Sequence, residues 1–215
     1  MTISIRDLYQ DILIQTAGQE TVLIAIDGGG GAGKSTLAQK LKEVDAENVS
    51  IIHMDDFYKP SEQRKHVSES EIGGNWDCER VKAQVLVPLS TNQPTIYQRY
   101  DWVEDKLAEF HDVPSGHVVI VEGCYSLLFS LRPFYQFKIW VQSPREVRLS
   151  RGIDRDGEEQ RHLWENLWMP AEERYIKAQN PMEAANLIID GTGKTSVIEN
   201  YEVNVLKKND GALDV

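Results

Sequence analysis

Apolar positions along the chain change period several times, and each change marks an element. Ile5, Leu8, Ile12 and Leu13 recur at helical spacing, which predicts an amphipathic helix near the start. TVLIAID (21–27) is a β-branched run ended by four glycines and predicts a buried strand. KSTLAQKLKEV follows with helix formers and apolar Leu37 and Leu41. VSIIHM (49–54), HVVIVEG (117–123), FKIWVQ (137–142) and ANLIID (185–190) predict further strands, the last of these closing the series. ERVKAQVLVPL (79–89) reads as a helix stopped near Pro88, and PREVRLSRG as a helix opened by proline. EEQRHLWENLWMPAEERYIKAQ predicts one more helix, kinked or divided at Pro170. TIYQRYDW (95–102) and a piece near FHDVP form a hairpin in this reading, and the polar tail KKNDGALDV frays. Strands with nearly continuous apolar cores alternate with helices, which predicts a parallel sheet covered on both faces.

Composition narrows the class. A chain of 215 residues is long enough for one well-buried domain. Its formal net charge of -11 argues against nucleic acid as a partner, which calls for a basic footprint. A polyanion such as ATP can still bind, through a local pocket of N–H groups and cations. Cys78 and Cys124 are far apart and lack metal-ligand spacing, which points to a reducing, cytoplasmic setting. The first residues lack the basic start and apolar stretch of a signal peptide, and no segment approaches the ~20 apolar residues of a membrane span.

The sharpest motif is GGGGAGKS, Gly28 to Ser35, which fits G-x-x-x-x-G-K-[ST] with Gly28, Gly33, Lys34 and Ser35 at the fixed positions. Gly29, Gly30, Gly31 and Ala32 complete a loop whose amides converge on phosphate oxygens, and Thr36 continues into the helix whose N-terminus favours anions. Lys34 supplies a charge to the outer phosphates and the Ser35 hydroxyl a ligand for Mg²⁺. A strand before the loop and a helix after it give the required context. GTGK (191–194) lacks the first glycine at the required distance and reads as a turn, placed to wall a nucleotide pocket.

Among P-loop proteins, a GTPase carries an Asn-Lys-x-Asp reader, and this chain has no Asn-Lys pair. The signature of a transporter ATPase is also absent. A kinase needs an acceptor pocket, a carboxylate near the acceptor hydroxyl and arginines around the transferring phosphoryl group. IIHMDDFYKP (51–60) supplies the carboxylates at a strand end, where ligands of open α/β sheets bind. Asp55 and Asp56 are adjacent, so on a continuing strand they point to opposite faces and only one meets the phosphates. Arg148, Arg151 and Arg155 fall three and four apart on one helical face, with Arg145 before them. This stripe is either catalytic or a solvated basic face. Trp164 and Trp168 are core residues or part of the pocket wall.

DDFYKP beyond a P-loop resembles the uridine kinase family of P-loop kinases, related to nicotinamide riboside kinase, pantothenate kinase and phosphoribulokinase. The resemblance continues through NWDCERV (75–81), YQRYDW (97–102), VVIVEG (118–123), PREVRLSRGIDRD (144–156) and NLIIDG (186–191). It implies that Asp55 is the general base, that Tyr58 lines the acceptor site, and that Asp77, beside Trp76, holds ribose hydroxyls. It also places Tyr100 near the nucleobase, Glu122 on Mg²⁺, and Arg148, Arg151 and Arg155 in a lid that closes over ATP. The alternatives are that Asp77 caps the helix that follows and that Glu122 is a buried structural acid. The chain departs from the family at Asp105, where many uridine kinases carry histidine, and in a lid that looks shorter.

The expected architecture is therefore a single P-loop kinase domain over residues 1–215: a three-layer α/β sandwich with a central parallel sheet. A small helical lid spans about 148–165, and an acceptor-site insert about 56–110. The expected chemistry is Mg²⁺- and ATP-dependent phosphorylation of a small-molecule hydroxyl, with the 5′-hydroxyl of uridine or cytidine first. The alternatives are another acceptor (nicotinamide riboside, pantothenate or a sugar) and an ATP-binding regulator that hydrolyses slowly with no acceptor. Neither nucleic acid nor membrane is expected as a partner, and a homo-oligomer stays open.

Overall fold

A computed structural model describes residues 1–68, 70–193 and 202–209. Among these, the main sheet has the strand order β1-β9-β8-β7-β2-β6-β3. The strands are β1 (Thr2–Ser4), β2 (Val22–Asp27), β3 (Val49–His53), β6 (Val118–Glu122), β7 (Phe137–Gln142), β8 (Leu187–Asp190) and β9 (Glu202–Lys208). β8, β7, β2, β6 and β3 pair in parallel. β4 (Thr95–Asp101) and β5 (Lys106–Val113) form a separate antiparallel hairpin.

Alternation along the central strands builds two cores. Ile24 and Ile26 of β2 face α1 (Ile5–Gln15) and α2 (Lys34–Val44), meeting Leu8, Ile12, Leu37 and Leu41. Leu23 and Ala25 face the other way, toward Val81, Val85, Leu86 and Tyr175. β2 and β6 are buried along their whole lengths, as strands covered on both faces must be. Burying each of their Val, Leu and Ile side chains stabilises the fold by about 1.5–3 kcal/mol before entropy is set against it. No helix among the described residues is long and apolar enough to cross a membrane.

The expectations for the end of the chain are corrected. ANLIID is not the last strand: β9 follows, pairing antiparallel with both β8 and β1. Its signal, buried Val203 and Val205 alternating with less buried Glu202, Asn204 and Leu206, is a short edge alternation that includes Lys207 and Lys208 of the tail expected to fray. The remainder of that tail, 210–215, lies outside the described residues, as does Lys194. The helix expected over 79–89 does end near Pro88: Cys78–Val81, a π-turn Lys82–Leu86 and Val87–Ser90 are continuous, with the proline inside the last turn. Of the two alternatives at Pro170, division of the helix does not occur: a π-turn at Trp164–Trp168 passes into α4 (Met169–Gln179). Both prolines follow a π-turn by two residues. The wider turn accommodates a ring that would clash with the carbonyl four residues back and that offers no N–H.

Candidate active site

Three neighbouring strands, β2, β6 and β3, bring their carboxyl ends together. The glycine loop leaves β2, Glu122 ends β6, and Asp55 lies just past β3 in a 3₁₀ turn, Met54–Phe57. These ends open onto a cleft of about 1460 Å³ lined by Gly30, Gly31, Gly33, Lys34, Ser35, Thr36, Asp55, Tyr58, Trp76, Glu122, Arg151 and Arg155. Most of the residues singled out from sequence are therefore on one surface.

The loop has the shape of a phosphate cradle. Gly31 and Gly33 have φ of 73° and 105°, left-handed values that favour glycine, and a Cβ on Gly31 would sit 2.5 Å from the Arg148 carbonyl oxygen. Gly33 precedes α2 without a side-chain cap, so the first amides of that helix carry no side-chain partner from it. Lys34 is buried, and its Nζ donates to the Gly29 carbonyl at 3.0 Å. Asp27, at the end of β2, is fully buried and accepts from the amides of Gly28 and Leu127 and from the Tyr175 hydroxyl.

Ser35 Oγ donates to Glu122 Oε1 at 3.0 Å, and His53 Nδ1 lies 2.6 Å from the same oxygen. His53 and Glu122 are register partners across β3 and β6, which is why they meet. Burial pushes the Glu122 carboxyl up, but the His53 hydrogen bond and the charge of Lys34 outweigh it and hold the group below its ordinary value. The same hydrogen bond raises His53. Among the described residues no three His, Cys, Asp or Glu side chains form a ready metal cage. A serine hydroxyl beside one ionised carboxylate fits Mg²⁺, which takes few protein ligands and completes its shell with phosphate oxygens and water.

The paired aspartates divide. Asp56 Oδ2 accepts from the Tyr97 hydroxyl at 2.8 Å and its carbonyl accepts from Arg80, so it serves the fold. Asp55 faces the cleft. Burial raises its pKa, Lys34 opposes that shift, and Glu122 adds to it.

On the acceptor side Tyr58 packs against Trp102 (centroids 4.4 Å) and edge-on to Trp76 (5.1 Å), with the Arg64 guanidinium 4.6 Å from its ring centre. Two predicted residues stand elsewhere. Tyr100 is 2% exposed and donates its hydroxyl to Asp105 at 2.6 Å, so Trp102, two residues on, presents the ring on the cleft. Asp77 Oδ1 accepts from the Arg80 amide at 3.0 Å, capping the helix that starts at Cys78. It lines a smaller cavity of about 340 Å³ that shares Glu71, Gly73, Gly74 and Trp76 with the main cleft.

The arginine stripe on α3 (Arg145–Asp156) is not a set of free cations. Arg148 is buried and paired with Glu172 at 2.6 Å. Arg151 donates to the carbonyls of Gly31, Gly191 and Thr192, tying the turn after β8 to the loop and making Gly191 a wall of the cleft. Arg145 pairs with Glu173. Arg155 pairs with its neighbour Asp156 at 2.7 Å and is mostly exposed, so it is the member of the stripe best able to reach a ligand. Trp164 is buried, donates to Asp156 and also borders the cleft, so it is both core and wall.

Asp27, His53, Arg64, Trp102 and Glu172 were not singled out from sequence. Asp27 had a local signal, an acid ending an apolar strand at the loop. Glu172 had none, since its contact with Gly30 spans 142 positions.

A parallel sheet, a glycine loop opening a helix, and a carboxylate facing that loop from an adjacent strand end define a P-loop small-molecule kinase. Residues 24–174 match the model of a family described as AAA domain. A protein named uridine kinase from Alkaliphilus metalliredigens is 30% identical over 146 residues, covering 64% of this chain and 69% of that protein. One of the same name from Chlamydia pneumoniae is 28% identical over 208 residues, covering 87% and 90%. A solved structure from Bacillus stearothermophilus, described as a possible uridine kinase, matches with a TM-score of 0.67 at 25% identity, covering 86% of this chain and 96% of that one. The chain thus belongs to the AAA domain family and, among P-loop kinases, to the uridine kinase family.

Proposed function

We propose that the protein transfers the γ-phosphoryl group of ATP to the 5′-hydroxyl of a pyrimidine nucleoside, uridine or cytidine. The observation that carries this reading is Asp55, which lines the same cleft as Lys34 and Ser35 and leads directly into the aromatic wall at Tyr58. The names of the relatives favour a nucleoside acceptor. Trp102 and Tyr58 suit a flat base.

Lys34 and the loop amides would hold the phosphates, and Ser35 and Glu122 would hold Mg²⁺. Bound there, the metal ion offsets charge on the phosphate oxygens. Asp55, ionised, accepts the proton of the acceptor hydroxyl as it attacks. Arg155 approaches the transferring group once it exchanges Asp156 for phosphate oxygens. The segment at about 148–165 acts as the lid that excludes water.

The test is ADP release measured against a panel of nucleosides, vitamins and sugars. Stimulation by uridine or cytidine is expected. Stimulation by nicotinamide riboside, pantothenate or a sugar would move the acceptor, and acceptor-independent hydrolysis throughout would leave only a slow ATP-hydrolysing regulator.

A further inference from the structure

The first half of the phosphate loop is clasped from outside by helices α3 and α4, and the clasp is polar. Glu172, on α4, is 6% exposed. Its Oε1 accepts the Gly30 amide at 2.8 Å, and its Oε2 accepts from Arg148 NH1 at 2.6 Å. Arg148 NH1 also lies 3.5 Å from the Gly30 carbonyl oxygen. Cys124 Sγ lies 3.5 Å from Glu172 Oε1. The fit leaves no room: a Cβ on Gly30 would lie 2.8 Å from the Trp164 ring and 3.1 Å from Glu172, and one on Gly29 would collide with Arg148.

An ionised pair this deep is a poor way merely to join two helices, because apolar side chains of similar volume usually do as well or better. What apolar side chains cannot do is accept an amide hydrogen. The Gly30 amide belongs to the most flexible residue type and sits where loop shape decides which amides face the phosphates. We propose that Glu172 is a positioning residue of the phosphate loop: neutralised by Arg148, its carboxylate holds the Gly30 amide and sets the loop in its phosphate-accepting shape before nucleotide arrives. Glu172 also borders the cleft itself, as do Ala171 and Arg174 beside it on α4. This inference rests on the reading of the loop as an ATP site but not on the identity of the acceptor.

The experiment is calorimetric titration of the full-length protein with Mg²⁺-ATP, without acceptor, alongside thermal melts. Arg148→Met with Glu172→Met removes the charges and the amide's acceptor but keeps an apolar contact between the helices. Arg148→Gln with Glu172→Gln removes the charges yet keeps a carbonyl oxygen for the amide. The methionine pair is expected to weaken ATP binding at least about tenfold while the melting temperature stays within a few degrees. The glutamine pair is expected to stay within about threefold of the natural protein. ATP binding by the methionine pair equal to that of the natural protein would overturn the proposal, as would equal losses in both pairs. Should the methionine pair fail to fold, Glu172→Gln against Glu172→Ala makes the same comparison, and equal weakening in the two is again the overturning result. Absence of ATP binding by the natural protein would sink the nucleotide reading itself, a different outcome from binding that is indifferent to these substitutions.

Discussion

Asp27 offers a stability test whose sign and size follow from its surroundings. It sits fully buried at the end of β2. Burial raises its carboxyl, and the Tyr175 hydroxyl, the amides of Leu127 and Gly28, and the charge of Lys34 oppose the shift, leaving the pKa at about 6 against an ordinary 3.8. The folded state therefore holds this proton more tightly than the unfolded chain. The resulting stability is fully present below the ordinary value and is lost as pH rises through about 6. The whole span corresponds to about 3 kcal/mol, of which about 2 kcal/mol disappears between roughly pH 4.5 and 7.5. Asp27→Asn cannot titrate. It is also destabilised at every pH, because its NH₂ replaces an acceptor that faced an amide hydrogen, a loss of about 1–3 kcal/mol. The gap between the natural protein and Asp27→Asn should thus widen by about 2 kcal/mol on acidification. Urea unfolding of both proteins at the two pH values measures it, and taking the difference cancels the other carboxylates. A gap that stays constant within about 0.5 kcal/mol would refute this account of the buried carboxyl.

Other consequences are as direct. Asp55→Asn should lower turnover by about 10²–10⁴ with ATP affinity unchanged, and full turnover would remove Asp55 as the base. Because the pKa of Asp55 is raised, activity in the natural protein should fall as pH drops through a value above that of an ordinary aspartate; a pH–rate profile locates that limb. Asp77→Ala should cost about 0.5–2 kcal/mol in unfolding experiments, as loss of a helix cap, while leaving the KM for the acceptor unchanged. A KM rise without a stability loss would return Asp77 to the acceptor site. Gly152→Ala drives a methyl into the Trp164 ring and should destabilise by about 1–3 kcal/mol, read as a lowered Tm; an unchanged Tm would show that the ring can yield.

The sequence by itself determined what depends on neighbours along the chain. The apolar runs ending in glycine or acid marked β2, β3 and β6, and the fixed spacing from Gly28 to Ser35 defined the loop, because amides and a lysine meet a phosphate only at set separations. The adjacency of Asp55 and Asp56 suggested one active member on the premise of a continuing strand; they do diverge, but from the 3₁₀ turn Met54–Phe57 and not from a strand. Residue identity also suggested roles for Asp77, Tyr100 and the arginines, but it could not say whether those groups were already taken. Only the fold decided that Tyr100 donates to Asp105, that Asp77 caps a helix, and that Arg148 is held by Glu172. It also decided that β6 lies between β2 and β3, which places Glu122 against both Ser35 and His53. The physical reason is the same in each case. A charged or hydrogen-bonding side chain buried in a protein must find a partner, and partners are chosen by distance in space, which chain separation does not reveal.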